Sequence, residues 1–210
     1  MLFWIILSIL WLPVRLLLPT KLIGKENLIK GKSIYACNHQ SNFDIVVLAV
    51  RLYTKIYALG KAELNKNKFI AWFLRNINMI SVNRGQADIK AVKSCLRVLK
   101  EENKPLVIFP TGTRTSNAEE VENLKNGVAM FSIKAQAPIV PMVFVRKNKL
   151  FRRNRFVIGK PLDLSKYEGR KPDKELFKEI SDDLSQAMQK LLDENKFKQK
   201  VKKTKKVEVK

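Results

Sequence analysis

The chain has a single histidine, His39, and only two cysteines, Cys37 and Cys95, in 210 residues. The cysteines sit in apolar surroundings without C-x-x-C spacing, so the sequence carries no disulfide framework, zinc site or redox pair, and a reducing, cytoplasmic setting fits best. One histidine and two separated thiols also leave no cluster from which to build a metal site. Acids are scarce: 19 Asp plus Glu stand against 41 Lys plus Arg, a formal net charge of +22. That imbalance calls for an anionic partner, and nucleic acid, an anionic lipid surface and an acidic carrier protein all satisfy it. The chain lacks a helix-turn-helix pattern, a zinc finger and an aromatic RNA-binding signature, which argues against nucleic acid. A full-length membrane span is missing as well. Spanning takes ~20 consecutive apolar residues, whereas the uncharged N-terminal run, residues 1–14, is interrupted by Pro13 and Arg15 before Leu16, Leu17 and Leu18.

That N-terminal run contains Phe3, Trp4, Ile5, Ile6, Leu7, Ile9, Leu10, Trp11 and Leu12. No basic segment precedes it and no small-residue cleavage site follows it, so a signal peptide is the poorer reading. It reads as an uncleaved monotopic anchor, with its tryptophans at the bilayer interface and Arg15 and Lys21 reaching headgroups, or alternatively as a buried core helix. From residue 32 to residue 158, short apolar runs alternate with amphipathic stretches. This predicts an α/β fold, a single domain with a central mixed sheet flanked by helices.

Strands are expected over 33–37, 55–59, 78–82, 106–109, 139–145 and 156–158, and helices over 43–52, 69–75, 86–102, 128–135 and 172–193. In the helix over 86–102 the apolar stripe is Ile89, Val92, Cys95, Leu96 and Leu99, and in the helix over 172–193 it is Leu176, Ile180, Leu184, Met188 and Leu191. The domain plan is therefore an N-terminal membrane-associated segment over 1–28, the α/β domain over 29–193 with its motif core at 33–146, and a Lys-rich tail over 194–210. Residues 196–210 hold eight lysines and one acid. This composition reads as disordered, either supplementing the anchor at an anionic membrane or remaining solvated.

The segment Asn38-His39-Gln40-Ser41-Asn42-Phe43-Asp44 lies where an apolar strand ends and an amphipathic helix begins. Chain reversal at that point would bring Asp44 back toward the imidazole, where a carboxylate holding Nδ1–H leaves Nε2 to accept a proton from a hydroxyl. The plainer alternative is that His39 caps a turn and Asp44 caps the helix. Further along, Pro110 and Gly112 follow an apolar strand and make a turn in which backbone N–H groups can converge. Arg114 then offers a planar fork suited to phosphate oxygens. Arg84 also follows a strand, and Lys61 is a third candidate cation, although each of these is one among 41 basic residues.

Taken in order, these motifs resemble the glycerolipid acyltransferase family, and within it the bacterial 1-acylglycerol-3-phosphate acyltransferases. The N-H-x-x-x-x-D motif is matched by Asn38, His39 and Asp44. Met79-Ile80-Ser81-Val82-Asn83-Arg84 is similar to the second motif, and Phe109-Pro110-Thr111-Gly112-Thr113-Arg114 to the F-P-E-G-T-R motif. Ile139-Val140-Pro141-Met142-Val143 resembles the fourth, while Lys61-Ala62-Glu63-Leu64 and Leu124-Lys125-Asn126-Gly127 look like family connecting segments. Two positions depart from the pattern. Thr111 stands where the family has glutamate, and Asn83 where it commonly has aspartate.

The resemblance implies a catalytic pair, His39 and Asp44, and substrate-binding residues Arg84, Gly112, Thr113, Arg114 and Lys61. It implies acyl transfer to the 2-hydroxyl of 1-acylglycerol-3-phosphate from acyl carrier protein or acyl-CoA, which serve as co-substrates, with no bound cofactor and no metal. The expected partners are a membrane lipid acceptor, an anionic membrane surface and the thioester donor, with no nucleic acid, at the cytoplasmic face of the inner membrane. The alternatives are an acyltransferase for a different lysolipid acceptor, or a noncatalytic basic protein that binds lipid or nucleic acid.

Overall fold

The computed structural model describes residues 2–83, 88–112, 121 and 124–197. In chain order the elements are α1 (Leu2–Leu17), β1 (Thr20–Ile23), β2 (Ser33–Cys37), α2 (Asp44–Leu52), β3 (Tyr57–Lys61), α3 (Lys68–Asn76), β4 (Met79–Val82), α4 (Ile89–Lys100), β5 (Pro105–Ile108), α5 (Gly127–Ala135), β6 (Ile139–Phe144), β7 (Asn154–Ile158) and α6 (Lys174–Asn195). The strands form one sheet in the order β1-β7-β6-β2-β5-β3-β4. Every pair is parallel except β6 with β7, so the sheet is mixed.

The alternation of side chains along the strands supplies two cores. In β2, Ile34 and Ala36 face one side with Leu106, Ile139 and Val143, beneath α4, α5 and α6. Tyr35 and Cys37 face the other with Val107, Val140 and Met142, beneath α1 and α2. All of these residues are nearly or wholly buried, and each large aliphatic side chain so covered contributes about 1.5–3 kcal/mol before conformational entropy is counted. α6 closes its side of the sheet with Leu176, Ile180, Leu184 and Met188, at steps of four residues. The last buried position is Leu192, and Leu191 is only partly covered. In α4 the stripe is Ala91, Cys95, Val98 and Leu99, with Val92 and Leu96 partly buried. Ile89, expected on that stripe, is the first residue of α4 and is 66% exposed.

The N-terminal region is tied into the sheet. Thr20–Ile23 is an edge strand in register with Asn154–Val157, so the sheet begins before residue 29, the expected start of the domain. The preceding helix α1 combines the two readings left open by its sequence. Phe3, Leu7, Val14 and Leu18 fall on one stripe and are buried against α2 and the sheet. Ile5, Ile9, Leu12 and Leu16 on the opposite side are all more than half exposed. No helix among the described residues is long and apolar enough to cross a membrane.

Candidate active site

Strands β2, β5, β3 and β4 run parallel, so their carboxyl ends share one edge of the sheet. The register sets Ala36 beside Ile108 and Lys61 beside Val82. The segments after these strands therefore emerge together: Asn38–Asp44 after β2, Phe109–Gly112 after β5, Lys61 at the end of β3 and Asn83 after β4. Adjacent strands lie ~4.8 Å apart, which puts β3 about 10 Å from β2. Open α/β sheets bind ligands at this edge, where the strand order reverses about the central strand.

The 38–44 loop is fixed by side chain to backbone bonds. The buried Asn38 amide donates to the Phe144 carbonyl at 3.0 Å and accepts from the Phe144 N–H at 2.8 Å, joining the end of β2 to the end of β6. Gln40 donates to the same carbonyl at 3.1 Å. Held in this way, the chain turns, and Asp44 donates its N–H to the Ser41 carbonyl at 3.2 Å as α2 begins.

The Asp44 carboxylate is wholly buried. Its Oδ2 accepts from the Gln40 N–H at 2.7 Å and the Ser41 N–H at 2.8 Å, and lies 3.0 Å from His39 Nδ1. Its Oδ1 accepts from Asn148 Nδ2 at 2.9 Å. The carboxylate thus turns back over the loop toward the imidazole. Capping, the plainer sequence alternative, does not describe it: residue 43 is the N-cap of α2, and that end has no side-chain cap. His39 keeps 19% of its side chain exposed and its ring stacks on Phe109 at 4.3 Å and 25°. A carboxylate in this position favours the tautomer with the proton on Nδ1 and stabilises the imidazolium that forms when Nε2 takes a second proton.

Comparison with known proteins places the chain in a family. The family model described as Acyltransferase matches residues 20–145. A 1-acyl-sn-glycerol-3-phosphate acyltransferase of Bacillus subtilis is 32% identical over 186 residues, covering 85% of this chain and 90% of that protein. One from Helicobacter pylori is 34% identical over 139 residues, 65% of this chain and 55% of that protein. The chain belongs to the acyltransferase family. Its fold is also that of the crystal structure of the 1-acyl-sn-glycerophosphate acyltransferase PlsC from Thermotoga maritima, with TM-score 0.63 and 22% identity over 86% of this chain and 74% of that one.

Of the residues singled out in this acyltransferase from sequence, His39 and Asp44 are in direct contact. Gly112 lies on the strand end next to theirs. It closes a turn by donating its N–H to the Phe109 carbonyl at 3.0 Å, with φ +71. A Cβ at Gly112 would come within 3.0 Å of Lys125 Cε and Nζ, so glycine serves both the backbone conformation and the close approach of a cation. Lys125 N–H in turn donates to the Pro110 carbonyl at 2.9 Å. Lys61 is exposed at the far side of β5. Arg84, Thr113 and Arg114 lie outside the described residues. Asn83, one of the two departures, donates its backbone and side-chain N–H groups to Asp88 at 2.9 and 3.2 Å, so a carboxylate stands beside the neutral residue.

Three site neighbours went unremarked in the sequence: Asn148, the stacking role of Phe109 and the ammonium of Lys125. For Asn148 no local signal exists. It lies within Arg146-Lys147-Asn148-Lys149, which reads as a basic surface loop, yet it is buried and reaches an acid 104 residues earlier. The thiols stand apart from this chemistry. Burial, with Asp44 adding to it, pushes Cys37 well above its ordinary value, and burial followed by the charge of Asp88 pushes Cys95 up to about 12. Both therefore stay protonated and weakly nucleophilic.

Proposed function

We propose that this acyltransferase moves an acyl chain from the thioester of acyl carrier protein or coenzyme A to the 2-hydroxyl of 1-acylglycerol-3-phosphate, giving phosphatidate at the cytoplasmic face of the inner membrane. The observation that carries the mechanism is the 3.0 Å contact of His39 Nδ1 with a buried carboxylate already fixed by two backbone N–H groups and Asn148. In the proposed step, Nε2 removes the hydroxyl proton as that oxygen attacks the thioester carbonyl carbon. The tetrahedral intermediate collapses with cleavage of the C–S bond, and the proton on Nε2 passes to the departing sulfur. Asp44 stabilises the transient imidazolium, while Phe109 and the Asn38 anchor limit the positions the ring can take.

Arg84 and Arg114 are proposed for the acceptor phosphate on their motifs alone, and among the described residues Lys125 above the Gly112 turn and Lys61 at the end of β3 supply basic groups at this sheet edge. An apolar cavity of about 50 Å³ between α1, α2 and α3, smaller than one acyl chain, marks where a chain would enter by parting these helices. It is lined by Leu7, Leu10, Val46, Phe73 and Met79, and α2 enters it one residue after Asp44. The exposed side of α1 supports work at a membrane surface, and the eight lysines over 196–210 add attraction to anionic lipid, on the order of 1 kcal/mol for each one near the surface.

One observation favours a second acceptor. With Thr111 in place of the family glutamate, no carboxylate from that position orients Arg114, so a lysolipid with a different headgroup is the alternative. Competition between lysophosphatidate and other lysolipids, with identification of the product lipid, decides between them. Turnover of lysophosphatidate supports the named acceptor; turnover of another lysolipid alone removes it while leaving the transfer mechanism in place.

A further inference from the structure

Helix α3 has no buried residue. Phe69 is 72% exposed, Trp72 46% and Ile70 42%, and the rings of Phe69 and Trp72 stack at 5.9 Å. Three large apolar side chains turned outward on one short helix form a patch that needs a covering partner. The helix carries no acid, and exposed Lys66, Lys68 and Arg75 lie beside the patch. Lys68 and Arg75 are seven residues apart, so they fall on one line and form a cationic border to the apolar sector. An aromatic face edged by basic residues has the chemistry of a helix lying in the headgroup region of an anionic bilayer.

Its position points to the same occupant. Phe73, one turn after Phe69 on the same face of α3, and Ile77 just after the helix line the apolar cavity also lined by Phe3 and Leu7 of α1, so the exposed patch continues into that cavity. α3 therefore stands across this cavity from α1, whose own outer side is apolar. We infer that α3 is a second lipid-contacting element, inserting Phe69, Ile70 and Trp72 into the same anionic leaflet as α1 so that the cavity between them opens toward the acyl chains. An acidic carrier protein suits this face less well, because its cations lie at the margin and its centre is aromatic.

This inference rests on the reading that the acyltransferase works at a lipid surface, and the protein's three tryptophans allow the two to be separated. In full-length protein carrying Trp4→Phe and Trp11→Phe, Trp72 is the only tryptophan; in protein carrying Trp11→Phe and Trp72→Phe, Trp4 is. Each is excited selectively at its indole and mixed with phosphatidylglycerol vesicles bearing bromine on the acyl chains, which quench only inserted rings. The expected result is that Trp72 loses emission and shifts to shorter wavelength, as Trp4 does. The double substitution Phe69→Ser with Trp72→Ser should weaken vesicle binding by about tenfold or more, while turnover of detergent-dispersed substrate stays within about twofold. Quenching of Trp4 with none of Trp72 would overturn the role of α3 and leave the α1 anchor standing. Absence of quenching in both proteins would overturn the membrane reading together with this one.

Discussion

Replacing Asp44 by asparagine removes one charge and almost no volume, so the cost is set by the groups around the new amide. That amide keeps its oxygen toward His39, Gln40 and Ser41, because an NH2 group there would face three donors. The NH2 group then falls opposite Asn148, whose Oδ1 has no hydrogen-bond partner among the described residues. A half-turn of the Asn148 amide converts that contact into a new hydrogen bond. The network survives without its charge, at a cost of about 1–3 kcal/mol in stability. Turnover loses more. At ~4 Å and an effective dielectric constant of ~20, a carboxylate stabilises an imidazolium by ~4 kcal/mol, which corresponds to ~10³ in rate. Steady-state acyl transfer to lysophosphatidate should therefore show kcat lowered by about three orders of magnitude with KM within a few-fold, in protein whose circular dichroism and melting confirm folding. A folded Asp44→Asn variant with kcat within about tenfold of wild type would refute the reasoning and leave Asp44 as a structural anchor of its loop.

Three further outcomes are expected from the same geometry. Asn148→Ala removes the donor to Asp44 Oδ1 and should lower kcat by about 10- to 100-fold with KM little changed; an equal loss in every substrate's KM with kcat intact would instead indicate a role in binding. Asn38→Ala strands the buried Phe144 N–H and should cost about 1–3 kcal/mol in denaturant unfolding, whereas a loss below about 0.5 kcal/mol would show that the β2–β6 tie is dispensable. Both thiols should resist an aromatic disulfide reagent at pH 8 until the protein unfolds. Because burial raises their folded values above the ordinary 9.0, the unfolded chain ionises first, so their contribution to stability is complete below about pH 9 and declines as pH rises above it, for Cys95 up to about 12. Rapid labelling of the native protein would contradict this.

The elements that the sequence predicts well are those whose periodicity reports burial. β2 occupies its expected residues because an uninterrupted apolar run in a central parallel strand is covered on both faces. The helix over 172–193 is legible from its four-residue spacing, and α5 from its apolar run. β1 is not legible: Thr-Lys-Leu-Ile has no pattern of its own, and its partner β7 lies near the other end of the domain. α1 is apolar around nearly its whole circumference, so periodicity could not show that Phe3, Leu7 and Val14 point inward. At the site, spacing proposes the approach of Asp44 to His39, and the loop conformation realises it. Asn148 became visible only through the fold, because a long-range hydrogen bond leaves no trace in local sequence.

The central claim, that His39 deprotonates a lipid hydroxyl attacking an acyl thioester, is tested most directly by comparing wild type with His39→Ala in anionic vesicles. The vesicles contain lysophosphatidate, acyl carrier protein or coenzyme A thioesters are supplied, and both free thiol and product lipid are followed. The account predicts that wild type releases thiol in step with phosphatidate and that folded His39→Ala loses between about 10² and 10⁴ of that rate. Phosphatidate formed by folded His39→Ala at the wild-type rate would contradict it.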